Sequence, residues 1–170
     1  MNYNIKTGFN ESTCIIGNAM SGKTTLGKYL SEKLDKALFV ENKIVNNYFE
    51  YLVELFNLEY QYYIIDDIFT YLNIKERLAI INIAKDKNKI IINLTTDSKD
   101  TLLFPYLMVI NNYEVIMEGN NKDILKEEKI FSNIGIKLPF IVQLSKELKD
   151  YNVISDYAYS SEELINLLWK

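Results

Sequence analysis

Apolar residues in this chain fall into short unbroken runs separated by amphipathic stretches. Thr13-Cys14-Ile15-Ile16 ends abruptly at Gly17, which predicts a buried strand. Lys23–Leu34 carries Leu26, Tyr29, Leu30 and Leu34 on one side, which predicts a helix. Ala37–Val40 reads as a second strand. Asn42–Phe56 places Ile44, Val45, Tyr48, Phe49, Leu52, Leu55 and Phe56 at helical spacing. Tyr62–Ile65 is a strand that runs into Asp66-Asp67, Ile74–Asp86 is a helix, and Lys89–Leu94 is a near-continuous apolar strand. Leu107–Asn111 and Tyr113–Glu118 predict a hairpin about Asn111-Asn112. Beyond Gly119 the pattern turns helical, at Lys122–Lys126, at Pro139–Asp150 and again from Ser160. There Ser160 and Glu163 match a capping box.

Apolar strands alternating with helices imply a parallel sheet covered on both faces. Composition narrows what such a sheet can serve. The 170 residues suit one domain, with 48% apolar and 25% charged positions. A net charge of −4 argues against a nucleic-acid-binding surface. The chain has no histidine, which removes Ser-His-Asp and Cys-His catalysis and histidine metal sites. A single cysteine, Cys14, removes an internal disulfide framework and fits a reducing compartment. Runs such as Tyr62–Ile65 fall far short of the ~20 residues of a membrane span. The first residues show no signal-peptide pattern, so the expected location is cytoplasmic.

The chemistry is concentrated at Gly17-Asn18-Ala19-Met20-Ser21-Gly22-Lys23-Thr24, which fits G-x-x-x-x-G-K-[ST] in full. Successive backbone N–H groups of such a loop curl around a β-phosphate, and its glycines adopt angles that a Cβ would resist. The helix that follows points its positive end at the anion. Lys23 is placed to reach the β- and γ-phosphates, Thr24 to ligate Mg²⁺, and Thr25 to close the nucleotide-binding set. Met20 is bulky for its place in the loop. The apolar strand ending in Asp66-Asp67 has the Walker B arrangement, with Asp66 the candidate Mg²⁺ ligand beside Thr24 and Asp67 the candidate for orienting an attacking water. Together these predict an α/β P-loop NTPase core with a mainly parallel sheet, a C-terminal hairpin and a helical tail. Residues 1–118 form the nucleotide-binding core, and residues 119–170 form a helical extension packed on the same domain.

The tail separates this chain from other P-loop proteins. Lys89–Asp97, the hairpin at Leu107–Gly119 and the short helix at Asn121–Leu125 resemble the switch strand and following elements of ATP-binding-cassette (ABC) transporter ATPases. Ile134–Pro139, Val142–Leu148 and Ser160–Lys170 resemble the tail of the energy-coupling-factor (ECF) importer ATPases within that family. The resemblance implies ATP and Mg²⁺ as ligands, a second, complete ABC ATPase and a membrane transporter subunit as partners, and attachment at the cytoplasmic membrane face through them.

The departures from the family are specific. Thr25 to Tyr62 leaves room for a strand and a helix, not for the family's helical subdomain. The signature position holds Glu41–Asn46, with no glycine pair. Asp67 stands where the family has glutamate, Thr96 where it has the switch histidine, and Asn73 near the D-loop aspartate. Tyr3 and Phe9 are the aromatics upstream of the P-loop, and both read better as packing residues than as the family's adenine-stacking aromatic. Binding needs the loop, the lysine and the cation pair, which are intact. Turnover also needs a positioned water and transition-state charge stabilisation, and losing one such group costs about 10²–10³ in rate. Asp67 and Thr96 are thus the candidate catalytic positions of an ATPase that depends on a partner. A small P-loop kinase and a non-hydrolysing nucleotide-binding relic remain alternatives. The sole arginine, Arg77, lies in a Lys75-Glu76-Arg77 cluster that reads as a solvated face rather than a phosphate clamp, and Asp97, Lys99 and Asp100 read as a solvated loop.

Overall fold

A computed structural model describes residues 3–6 and 8–169. The expected resemblance at Ser160–Lys170 therefore has its last residue, Lys170, outside the described residues. Among the described residues six strands form one sheet: β1 (Thr13–Ile16), β2 (Ala37–Val40), β3 (Tyr62–Asp66), β4 (Ile90–Thr95), β5 (Tyr106–Asn111) and β6 (Glu114–Asn120). Their order is β2-β3-β4-β1-β5-β6. The first five run parallel, and β6 returns antiparallel to β5. Among the described residues seven α-helices surround the sheet: α1 (Lys23–Lys33), α2 (Tyr48–Leu55), α3 (Ile74–Asp86), α4 (Asn121–Ile124), α5 (Glu128–Asn133), α6 (Phe140–Asp150) and α7 (Ser161–Leu168).

Alternation along each strand assigns the two faces. Ile15, Ile64, Ile92, Leu94, Met108 and Ile110 pack with Leu26 and Leu30 of α1. Cys14, Ile16, Tyr63, Ile65, Ile91, Leu107 and Val109 pack on the other face with Leu52 of α2 and Ile80 and Ala84 of α3. Leu125, Phe131 and Val142 join that second cluster, so the tail helices help build the main core. Ile154, Ala158 and Leu164 form a smaller cluster of their own.

Two expected elements differ. The helix predicted over Asn42–Phe56 begins only at Tyr48, and residues 41–47 are irregular, with Ile44 99% exposed. Asn47 decides this: its side-chain oxygen accepts from the N–H groups of Phe49 (3.0 Å) and Glu50 (3.2 Å), which starts the helix there. At α7 the Ser160 hydroxyl accepts from the Glu163 N–H at 3.1 Å, as expected of a cap. The Glu163 carboxylate, however, reaches past Ser160 to the Tyr159 N–H at 2.8 Å, so the return half of the box is displaced by one residue. The full reciprocal box stands at Asn73 and Glu76, where α3 begins.

The parallel order brings the carboxyl ends of β1, β3 and β4 to one edge, the usual position for a ligand in an open α/β sheet. β4 lies between β1 and β3, so the segment after β4 sits between the P-loop and the two aspartates.

Candidate functional site

β1 releases the chain at Gly17, and α1 resumes it at Lys23. A Cβ at Gly17 would lie 2.4 Å from Ser21 Oγ and 2.5 Å from the Ile110 carbonyl oxygen, so only glycine lets the loop curl this tightly. Gly22 has φ +101°, the left-handed conformation that turns the loop into the helix. The buried Lys23 ammonium donates to the carbonyls of Gly17 (2.7 Å) and Asn18 (2.8 Å). Burial lowers its pKa, and the charges of Asp67 and Asp66 oppose that shift. A phosphate would relieve the same burial by supplying full negative charge. Ser21 Oγ is buried with no hydrogen-bond partner, an unsatisfied group facing the inside of the loop's curl. Asn18, Ala19 and Met20 form the exposed crest, with Met20 at φ +64° and 92% exposed, so its bulk stays out of the curl. The Asn18 amide donates to the Ile134 carbonyl in the tail.

β3 delivers the acids. Thr24 Oγ1 donates to Asp66 Oδ2 at 2.8 Å, which brings together the two residues predicted to share a cation. Thr25 lies beside Thr24 on the exposed first turn of α1. Asp67 has φ +56°, and its N–H donates to the Leu94 carbonyl at 2.9 Å. The Thr96 backbone hydrogen-bonds the Asp67 carboxylate, while Asp67 Oδ1 is buried without a partner. Burial raises the pKa of both acids; for Asp66 the Thr24 hydrogen bond opposes it, and for Asp67 the Thr96 bond does. Each would be relieved by a cation. One hydroxyl, one carboxylate and phosphate oxygens suit a small hard cation that keeps several waters, which is the chemistry of Mg²⁺.

One buried feature contradicts the solvated-face reading of Arg77 and of the loop after β4. Arg77 and Asp100 are both buried, and the guanidinium donates to Asp100 Oδ1 at 2.5 Å, to Asp97 Oδ2 at 3.0 Å and to the Leu72 carbonyl at 3.0 Å. Asp100 Oδ2 accepts from Asn93 Nδ2 (3.1 Å) and Thr95 Oγ1 (2.8 Å). This network fixes the turn that carries Thr96. The signal in sequence was Asn93 and Thr95 inside an otherwise apolar buried strand, since buried polar side chains require partners.

The sheet order, the P-loop and the paired acids at the β3 end define a P-loop NTPase fold of the ABC ATPase type. Among solved structures, the chain is similar to cbiO1 from Clostridium perfringens, part of the ABC transporter complex cbiONQ, with TM-score 0.53, 15% identity and coverage of 80% of this chain and 87% of that one. It is also similar to a bacterial Atm1-family ABC exporter with ATP bound, with TM-score 0.55, 8% identity and coverage of 73% and 36%. No family model matches the chain.

Sequence likeness narrows the class. The chain is 32% identical over 111 residues to the energy-coupling factor transporter ATP-binding protein EcfA1 of Mycoplasmopsis synoviae, covering 63% of this chain and 40% of that protein. It is 28% identical over 90 residues to the energy-coupling factor transporter ATP-binding protein EcfA of Malacoplasma penetrans, covering 53% and 31%. The chain is thus similar, over part of its length, to ECF transporter ATP-binding proteins, and the match spans less than half the length of these proteins. Between β2 and β3 it builds only α2, so the helical subdomain and signature motif expected of that family are not present there. Among the described residues, no helix is long and apolar enough to cross a membrane.

Proposed function

We propose that this chain binds Mg-ATP and couples it to transport as one half of an unequal pair with a complete ABC ATPase, alongside a membrane subunit. The P-loop from Gly17 to Thr25 holds the triphosphate. Lys23 leaves the Gly17 and Asn18 carbonyls for the β- and γ-phosphates. Thr24 and Asp66 would hold Mg²⁺, which would supply positive charge to offset that of the phosphates. Asp67 orients the attacking water, and Thr96 stands near the γ-phosphate. The observation that carries the reading is the set of groups at one end of the sheet: Ser21 Oγ and Asp67 Oδ1, buried without hydrogen-bond partners, beside the hydrogen-bonded Thr24–Asp66 pair.

Asp67 is one methylene shorter than glutamate, and Thr96 lacks an imidazole. The isolated chain should therefore bind firmly and turn over slowly. Arg77, buried on Asp100, is not available as a phosphate clamp, which disfavours the kinase reading. Calorimetric titration with ATP, with and without Mg²⁺, tests binding. Phosphate release with and without a complete ECF ATPase tests coupling. Binding with no release in any pairing would favour a non-hydrolysing regulatory role; no binding would refute the proposal.

A further inference from the structure

The strand order gives the site a direction. Asp66, Asp67 and Thr96 lie at the ends of β3 and β4, on one side of β1. The β5–β6 hairpin lies on the opposite side. A triphosphate whose terminal group sat beside Thr24 and Asp66 would extend along the P-loop away from β3 and β4, which would turn its nucleoside end toward the hairpin side of β1. The hairpin turn, Asn112-Tyr113, meets the P-loop there: the Tyr113 N–H donates to the Ser21 carbonyl at 2.8 Å. The Tyr113 side chain lies against Gly22, where an added Cβ would sit 2.7 Å from Tyr113 Cδ1 and 3.0 Å from Cγ. The second glycine of the motif thus also makes room for this ring.

Tyr113 is an unusual residue for its place. Asn112 and Tyr113 have φ +48° and +64°, the pattern of a tight hairpin turn that favours Asn and Gly at both positions. A bulky aromatic held at positive φ marks a position where something other than backbone economy is served. Its side chain is not spent on the core, for Tyr113 remains 45% exposed beside the loop. Tyr3 lies close enough for the charge of Tyr113 to add to the burial that raises the Tyr3 hydroxyl's pKa, and the Tyr3 ring packs 5.2 Å from that of Tyr29 on α1. Phe9, by contrast, is buried in the core beneath α1.

We infer that Tyr113 is the base platform of the site, stacking its exposed ring face on the nucleobase of a bound nucleoside triphosphate. The inference rests on the nucleotide-binding reading above, and deepens it by assigning the base to the hairpin turn. Stacking on an aromatic face is tolerant of base identity, so the platform favours nucleotides over bare polyphosphate without choosing strongly among bases.

The test compares Mg-ATP with Mg-tripolyphosphate, which has the phosphates and no base. Wild type should bind ATP more tightly than tripolyphosphate. Tyr113→Ala should weaken ATP by about 5- to 150-fold, the equivalent of one lost stacking contact. Its tripolyphosphate affinity should stay within about twofold of wild type, which also shows that the P-loop remains folded, and Tyr113→Phe should keep the ATP preference. Tyr113→Trp in a Trp169→Phe background should show fluorescence quenched by ATP and not by tripolyphosphate. Equal losses for both ligands, or no loss for ATP, would overturn the platform and leave nucleotide binding standing. Failure of wild type to bind either ligand would overturn both readings.

Discussion

At the residue scale the site is held in a state that costs the empty protein stability. Burial raises the carboxyl pKa values of Asp66 and Asp67, so in mild acid the folded chain holds protons that the unfolded chain has released. The contribution of these two groups to stability then falls as pH rises from the unfolded carboxylate value, near ~3.9, through the raised folded values. Asp66→Asn removes one of these charges. It should raise the melting temperature of the ligand-free protein near neutral pH by a few degrees, since each kcal/mol moves a domain of this size by about 2–4 °C. The same variant should lose most of the stabilisation that Mg-ATP gives wild type. A melt series over pH, with and without Mg-ATP, checks both signs. Lys23→Ala should likewise lose the nucleotide-dependent shift, because the Lys23 ammonium is the cation that the loop holds against its own carbonyls. Cys14 is fully buried, and burial, then the charges of Asp100 and Asp97, push its thiol pKa well up. It should resist thiol reagents in the native protein and react fully in denaturant, as mass spectrometry of labelled protein would show.

At the element scale the decisive link joins α3 to the end of β4. Arg77 spans the Leu72 carbonyl, Asp97 and the fully buried Asp100. Removing it strands the Asp100 carboxylate, and breaking a buried pair on one side costs roughly 3–5 kcal/mol. Arg77→Met should show that loss in urea unfolding, and Arg77→Lys should recover only part of it, because an ammonium lacks the planar fork. Sequence periodicity could not reveal this link, for the helix pattern treats Arg77 as a polar surface position and nothing local shows which loop folds over it. The same limit hid the start of α2, where the capping chemistry of Asn47 overrode helical spacing upstream. What was legible were features whose physics is local: the apolar runs that became β1 to β5, the P-loop between strand and helix, and the acids at a strand end. The meeting of Tyr113 with Gly22 was not legible, because it depends on β5 lying beside β1.

At the scale of the whole molecule, the tail divides into a part that builds the main core and a part that does not. Leu125, Phe131 and Val142 are buried in the same cluster as β1, β3 and β5, whereas Ile154, Ala158 and Leu164 pack chiefly on Ile141, Leu144 and Leu148 of α6. The tail also touches the site, through the Asn18 amide on the Ile134 carbonyl. A chain ending at Gly119 would keep α2 and α3 on this face of the sheet but uncover the part that the tail helices complete, and losing Phe131 alone should cost about 3–5 kcal/mol, a large share of the ~5–15 kcal/mol that holds a typical domain together. A chain ending at Asp150 loses the smaller cluster, the partly buried Tyr159 with its hydroxyl's bond to the Lys122 carbonyl at 2.8 Å, the Lys122–Glu163 pair at 2.8 Å and the Ser145 hydroxyl's bond to the Ala158 carbonyl at 3.2 Å, but none of the fully buried residues of the main core. The shorter truncation should therefore melt cooperatively at a reduced temperature and still bind Mg-ATP, while the chain ending at Gly119 should fail to give a cooperative transition. Thermal melts followed by circular dichroism, with nucleotide titration of whatever folds, distinguish the two. Equal tolerance of both cuts would show that the tail helices are an appendage rather than part of the fold that holds the P-loop in place.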